Sequence, residues 1–323
     1  MNNLQQMIAV RVAAVEQRTP QIKRFTLEAC DGRPLPGFTG GSHVLVQMTQ
    51  GERRFTNAYS LMSSPEDTRH YQIGVRREEN SKGGSAFLHE QVAVGSELRI
   101  SLPSNLFALA PEAGHHVLVA GGIGITPFLS QLHDLRRLGA SYELHYAFRA
   151  PEHGAFREEL AAGEHGPHCR FYVDSEGSRL DLDALLEGMA PEAHVYVCGP
   201  RPLIDALIER ARAKGIDDAR VHWEQFAATP AVGGAFTLVL AQSGRELQVE
   251  EGTSILQAIE RNNAAQVECL CREGVCGTCE TRILEGQAQH FDQYLTDEEK
   301  AAQQSLMICV SRAAAGSRLV LDL

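Results

Sequence analysis

The chain has 323 residues, eight cysteines and a formal net charge of −11. The length suits two or three domains, the acidic balance argues against a nucleic-acid partner, and no apolar run approaches the roughly 18 residues that a membrane span needs. The opening MNNLQQMIAVRVAAVEQ has no basic stretch ahead of an apolar one, so no secretory signal is expected, and thiols outside a cofactor site are expected to be reduced, in a cytoplasmic protein.

Residues 1–110 read as strands. Alternating or apolar runs occur at MIAVRVAAVEQ, IKRFTLEA, SHVLVQM, NAYSLMS, HYQIGVRRE and SELRISLP, separated by Gly, Pro, Asn and Asp. Many short strands with turns predict a small antiparallel β-barrel. One helix is expected at SAFLHEQ.

Residues 111–226 change rhythm. Strands at HHVLVAGG, YELHYAFR, CRFYVDS, HVYVCGP and ARVHWEQF alternate with helical stretches at PFLSQLHDLRRL, FREELAAG, DLDALLEG and PLIDALIERARAKG. That alternation predicts a doubly wound α/β domain with a parallel sheet. Residues 227–235, AATPAVGGA, carry no charge and read as a linker.

Residues 236–323 open with a hairpin pattern, FTLVLAQSGRELQVEEG, then a helix at SILQAIERNN, a cysteine loop and two short strands, enough for an α+β ferredoxin-sized domain. In the loop, CREGVCGTC sets Cys271, Cys276 and Cys279 at C-x4-C-x2-C, and Cys309 follows after 29 residues. This is the spacing of a plant-type [2Fe–2S] site. Thiolates so close must wrap one compact cluster, and Gly274 and Gly277 permit the tight turn. Structural zinc is the alternative, but zinc sites usually pair C-x2-C units or mix Cys with His. This last segment has 7 Lys/Arg and 13 Asp/Glu, a net of −6. Asp292, Asp297, Glu298 and Glu299 are either a solvated acidic surface or a docking face for a basic protein.

Further upstream, VLVAGGIGITPFLSQL runs a strand into a turn at Gly121, Gly122 and Gly124, and Thr126 and Pro127 suit the start of the next helix. Bare amides at such a helix start suit a pyrophosphate, although a full G-x-G-x-x-G is missing. In VYVCGPRPLI, Cys198 and Gly199 close another strand, and in an open α/β sheet both turns are expected to face one crevice. Arg149, at the end of HYAFR, could reach a cofactor phosphate there. In the first segment, Tyr59 and Ser60 could present a phenol and a hydroxyl to a ring cofactor, and Gly83, Gly84 and Ser85 precede a helix in another anion-binding arrangement.

These motifs in this order resemble the phthalate dioxygenase reductase family of class IA oxygenase reductases, which is similar to vanillate demethylase and N-demethylase reductases. The resemblance covers nearly the whole chain and rests on NAYSL, KGGSAFLHE, GGIGITP, VCGP and CREGVCGTC with Cys309. It implies a multidomain fold: a flavin-binding β-barrel over 1–110, an NAD-binding α/β domain over 111–226, a linker and a β-grasp ferredoxin over 236–323. It also implies FMN, less readily FAD, a [2Fe–2S] cluster, and NADH as donor. Tyr59 would lie against the isoalloxazine, and Ser60 would hydrogen-bond it. Gly83, Gly84 and Ser85 would bind its phosphate, and Val75 and Arg76 would line it. Thr126, Cys198 and Gly199 match positions bordering the nicotinamide, and Phe226 matches an aromatic that shields the flavin. Asn57 stands where the family has Arg, so Arg53, Arg54 or Arg76 would supply that charge or flavin binding is altered. Asp174, after the third strand of the sheet, would repel a 2′-phosphate and favour NADH.

The implied function is the reductase component of a two-component Rieske-type oxygenase, passing electrons from NADH through FMN and the cluster to the terminal oxygenase. Delivery to a cytochrome P450 is the alternative partner, and an iron–sulfur redox sensor is the alternative of another class. A second metal-ligand set for substrate oxidation is not visible in the sequence, so the organic substrate would belong to the partner.

Overall fold

The computed structural model describes residues 6–51, 53–78, 83–226 and 233–323. These pack as two compact units, 6–225 and 226–323.

The first unit begins with the strands β1 (Met7–Thr19), β2 (Ile22–Ala29), β3 (Ser42–Gln50), β4 (Arg53–Ser60) and β5 (Tyr71–Arg76), the helix α1 (Gly84–Gln91), and the strands β6 (Glu97–Ser101) and β7 (Ser104–Asn105). The ladders run in the order β4-β3-β6-β1-β2-β5, with β7 on β3, and all are antiparallel. A bridge between Leu61 and Ile73 ties the end of β4 toward β5, so the sheet curls into a barrel. The alternation that marks these strands is the alternation of burial: Val10, Val12, Phe25, Leu27, Val44, Val46, Ile73 and Val75 fill the interior.

The same unit continues with β8 (His115–Gly121), α2 (Thr126–Leu138), β9 (Tyr142–Phe148), α3 (Arg157–Ala162), β10 (Cys169–Val173), α4 (Leu182–Glu187), β11 (Ala193–Cys198), α5 (Arg201–Ala213) and β12 (Val221–Glu224). The sheet order β10-β9-β8-β11-β12 is parallel throughout. The order reverses beside β8, which is where a doubly wound sheet opens a ligand crevice. The central strands β8 and β11 are apolar over most of their length because helices cover both faces.

Barrel and sheet are clamped together at α2. The Gly40 amide donates to Asp134 Oδ2 at 2.6 Å, the Gly41 amide to Ser130 Oγ at 3.1 Å, and Gln131 Nε2 to the Phe107 carbonyl at 2.6 Å. A Cβ on Gly40 would fall 2.6 Å from the Gln131 Cα, so only a glycine permits this approach. Arg24 on β2 adds an ion pair to Glu159 on α3 at 3.0 Å.

The second unit contains β13 (Phe236–Leu240), β14 (Arg245–Val249), α6 (Ile255–Arg261), β15 (Glu280–Glu285), β16 (Ala288–Gln289), α7 (Asp297–Ala302), β17 (Ser305–Met307), β18 (Arg312–Ala313) and β19 (Arg318–Leu321). Its main sheet, β14-β13-β19-β15-β17, wraps over α6 in a β-grasp arrangement, and β16 pairs separately with β18. Arg312 lies fully buried here. Its guanidinium donates to the carbonyls of Glu250, Thr253, Gly233 and Gly234 and covers the Phe236 ring at 5.2 Å.

Three expectations need correction or limits in this unit. Five strands follow the cysteine loop rather than two, and α7 is an additional helix. Asp292 does not belong to an acidic surface: it is 3% exposed and accepts the Leu295 amide at 2.9 Å, a cap that the turn needs. Glu299 is drawn into a capping box with Thr296 at the start of α7. Of the expected linker, 227–232 lie outside the described residues. No helix among the described residues is long and apolar enough to cross a membrane.

Candidate functional site

The two glycine turns of the α/β sheet meet. A Cβ on Gly121 would lie 2.7 Å from Pro200 Cδ, one on Gly199 would lie 2.9 Å from the Gly121 Cα, and one on Gly124 would lie 2.2 Å from the Cys198 carbonyl oxygen. Backbone thus touches backbone, which explains why both turns are glycine. Between them and the barrel opens a cavity of about 640 Å³ lined by Gly122, Arg149, Asp174 and Arg76, and also by Arg179 and His153. Three guanidinium groups around two glycine turns suit an anionic dinucleotide. Arg179 and His153 were not singled out in the sequence because neither sits in a motif.

Beside the second glycine turn, next to Cys198, lies a buried acid that sequence reasoning missed. Glu224, the last residue of β12, is 8% exposed. Its Oε2 receives the Cys198 thiol at 3.9 Å, and the Ser60 hydroxyl from the barrel lies beside it. Burial pushes the Glu224 carboxyl up to about 8 and holds the Cys198 thiol well above its ordinary range. Ser60 and Cys198, which the sequence placed on two different motifs, therefore converge on one proton-holding group. Thr126 is buried at the start of α2, donates to the Ile123 carbonyl at 3.1 Å, and brings its methyl to the strand at Gly74.

The flavin motif is only partly gathered. Tyr59 stands next to Ser60 on β4, half-buried. Gly83 has φ 124°, and a Cβ on it would lie 2.3 Å from the Phe55 ring. The start of α1 has no capping side chain and no acid in its first turn, a charge pattern that suits an anion such as a flavin phosphate. Asn57 is turned into this turn, since a Cβ on Gly84 would lie 2.1 Å from its Oδ1. Ser85 Oγ accepts the Glu78 amide at 3.2 Å. Val75 is fully buried in the barrel core, and its carbonyl is hydrogen-bonded to His89 at 2.9 Å. Arg54 is exposed, and Arg76 lines the dinucleotide cavity. Phe226 is 37% exposed and belongs to the second unit.

In that second unit Cys271, Cys276, Cys279 and Cys309 are all buried, at 4%, 1%, 2% and 8% exposed. They fall into two groups: Cys271 lies beside Cys276, and Cys279 lies beside Cys309, with Cys269 next to both of the latter. Two thiolates per iron is what a [2Fe–2S] cluster requires. The contact between Cys271 and Cys276 pulls the Cys276 thiol below its ordinary range. The Glu273 amide donates to the Cys271 sulfur at 3.3 Å. Gly274 and Gly277 have φ 73° and 71°, and Cβ atoms there would strike Val310 at 2.7 Å and the Tyr294 ring at 2.3 Å. The loop is thus a thiol cage closed by glycine, which fits the cluster. Cys269, absent from the expected set, also reaches this cage: its sulfur and those of Cys279 and Cys309 all lie within 4.8 Å of one another.

Comparison with known proteins agrees with this geometry. The 2Fe-2S iron-sulfur cluster binding domain matches residues 238–314, and the oxidoreductase NAD-binding domain matches 118–208. The chain is 57% identical over 318 residues to the carnitine monooxygenase reductase subunit of Escherichia coli strain K12, covering 98% of this chain and 99% of that protein. It resembles phthalate dioxygenase reductase, described as a modular structure for electron transfer from pyridine nucleotides to [2Fe–2S], with TM-score 0.73 and 35% identity over 99% and 98% of the two chains. It also resembles part of an intact type IV self-sufficient cytochrome P450 monooxygenase, with TM-score 0.80 and 37% identity, over 98% of this chain but 41% of the other.

Barrel, doubly wound sheet and thiol cage together define a pyridine-nucleotide-dependent iron–sulfur reductase. The chain belongs to the phthalate dioxygenase reductase family of oxygenase reductases. It is an NADH-dependent oxidoreductase with FMN and a [2Fe–2S] cluster as its redox groups, and so an electron-transfer enzyme rather than a sensor.

Proposed function

We propose that the chain is the reductase component of a two-component Rieske-type oxygenase, a cytoplasmic protein delivering electrons to a separate terminal oxygenase. Residues 1–110 would form the flavin domain, 111–226 the nicotinamide domain, 227–235 the linker and 236–323 the ferredoxin. A bound flavin would accept two electrons at once as one hydride and release them singly, which a one-electron cluster needs. The chain's own residues set up that exchange. Gly83, Gly84 and Ser85 hold the flavin phosphate with backbone amides, Asn57 takes the place of an arginine beside that turn, and Tyr59 and Ser60 orient the ring. Gly122, Arg149 and Arg76 receive the dinucleotide phosphates, Asp174 excludes a 2′-phosphate, and Thr126, Cys198 and Gly199 position the nicotinamide. Cys271 and Cys276 would hold one iron of the cluster, and Cys279 and Cys309 the other.

The observation that carries this reading is the convergence of Ser60 and Cys198 on Glu224, since it brings a flavin-motif residue and a nicotinamide-motif residue to one point. The test is rapid mixing with NADH under anaerobic conditions. Flavin reduction should precede or accompany cluster bleaching, and cluster reduction in a variant that binds no flavin would refute the order.

A second acceptor has support in the likeness to the self-sufficient P450. Reconstitution with a Rieske oxygenase and, separately, with a P450 distinguishes them by NADH-coupled product formation.

A further inference from the structure

We propose that Cys269 is a fifth thiol of the cluster cage and a replacement ligand for the iron held by Cys279 and Cys309. Two sulfurs that share a tetrahedral metal at a bond length of about 2.3 Å stand about 3.8 Å apart. The sulfurs of Cys269, Cys279 and Cys309 all lie within 4.8 Å of one another, so Cys269 is within about an ångström of ligating distance to either. Cys271 and Cys276 are not part of that trio. One iron carrying two bridging sulfides accepts only two of the three thiols. Cys269 is therefore surplus while Cys279 and Cys309 are both present, and it is placed to bind when one of them is lost.

The exchange is a ligand substitution. The Cys269 S–H bond breaks, its proton goes to solvent, and an S–Fe bond forms at the position the missing sulfur leaves. The iron keeps its oxidation state. The half-buried position of Cys269, against the buried positions of the other two, gives that proton a way out.

The inference rests on the ligand assignment proposed above, and the experiment separates the two. Iron and acid-labile sulfide per chain, the visible charge-transfer bands and the reduced-state EPR spectrum are measured on the full-length chain. Cys276→Ala should lose the cluster although Cys269 is present, which tests the assignment alone. Cys269→Ala should keep a full cluster. Cys279→Ala should keep at least half of the wild-type iron and sulfide with all-thiolate bands, and Cys269→Ala/Cys279→Ala should fall at least tenfold below wild type. Equal cluster content in Cys279→Ala and the double variant, whether high or low, overturns the proposal. Should Cys279→Ala fail to fold, Cys309→Ala against Cys269→Ala/Cys309→Ala makes the same comparison. Should both single variants fail to fold even with Cys269 in place, the replacement is refuted, because a substituted cage would have held them. Alkylation of the native proteins gives an independent readout: Cys269 should be modified in wild type and protected in Cys279→Ala.

Discussion

The Cys198 thiol points at the Glu224 carboxylate across 3.9 Å, in a position where neither is exposed by more than 8%. A carboxyl held at about 8 by burial stays protonated in the folded protein while the unfolded chain has already ionised it. Between the unfolded value of about 4.3 and the folded value, the native state binds more protons. This group's contribution to stability is therefore fully present at low pH, falls as pH rises through the window, and is exhausted above pH 8. Glu224→Gln removes that slope. Subtracting its stability–pH curve from the wild-type curve should leave a decline confined to the window below about pH 8, and a flat difference would refute the assignment. The same variant should slow flavin reduction by NADH by at least tenfold if the group helps to align the ring and nicotinamide.

His43, His116 and His222 act on the acid side. Burial holds each at about 4, below the ordinary histidine range. A base with a depressed folded value contributes stability that is present above its unfolded value of about 6.5 and lost as pH falls toward 4. Chemical denaturation of the protein should show a steep loss of stability from pH 6.5 to pH 4. His43→Leu, which stands apart from the other two on β3, should flatten it in part.

Gly124→Ala tests whether the two glycine turns must touch. The new methyl would meet the Cys198 carbonyl oxygen at 2.2 Å, and backbone cannot rotate out of the way as a side-chain tip can. The strands must separate, at a cost of about 1–3 kcal/mol. Thermal unfolding should drop, and the KM for NADH should rise more than kcat falls.

Asp174→Ser addresses the choice of dinucleotide. Removing a carboxylate from a cavity that already holds Arg149 and Arg179 leaves only positive charge around the phosphates. The ratio of kcat/KM for NADH over NADPH should fall about tenfold, equivalent to about 1.4 kcal/mol, and an unchanged ratio would remove Asp174 from the specificity argument.

Arg312→Ala probes the second unit. Truncation strands four carbonyls and the face of Phe236 that the guanidinium now covers. Loss of a buried guanidinium that satisfies four carbonyls costs about 3 kcal/mol or more. Cluster absorbance should be lost at a lower temperature than in wild type, while the flavin signal keeps its own transition.

The strands of the barrel and the α/β sheet were legible because each is long enough to show its period. IKRFTLEA and HVYVCGP became β2 and most of β11 with little change of bounds. The late strands of the second unit span two to six residues, too short for alternation to stand out, and α7 hides behind an acidic turn whose charges serve as caps. Asp292 was misread for the same reason, since an acid that caps a buried turn looks like any surface acid in one dimension. Glu224 was invisible because Cys198 is 26 residues away and Ser60 belongs to another sheet. Cys269 was visible as a letter only, for nothing in C-x-C spacing says which sulfur bends inward.

The tight seat of Gly40 and Gly41 against α2 also governs how this protein can be recombined. Because that contact admits no methyl, the hydride-handling half is inherited as a block. Chimeras with a relative crossed near residue 110 should misassemble wherever the two halves of the seat come from different parents. Crossovers after residue 225 keep both sides of the seat in one parent, so chimeras made there should retain the clamp between barrel and sheet.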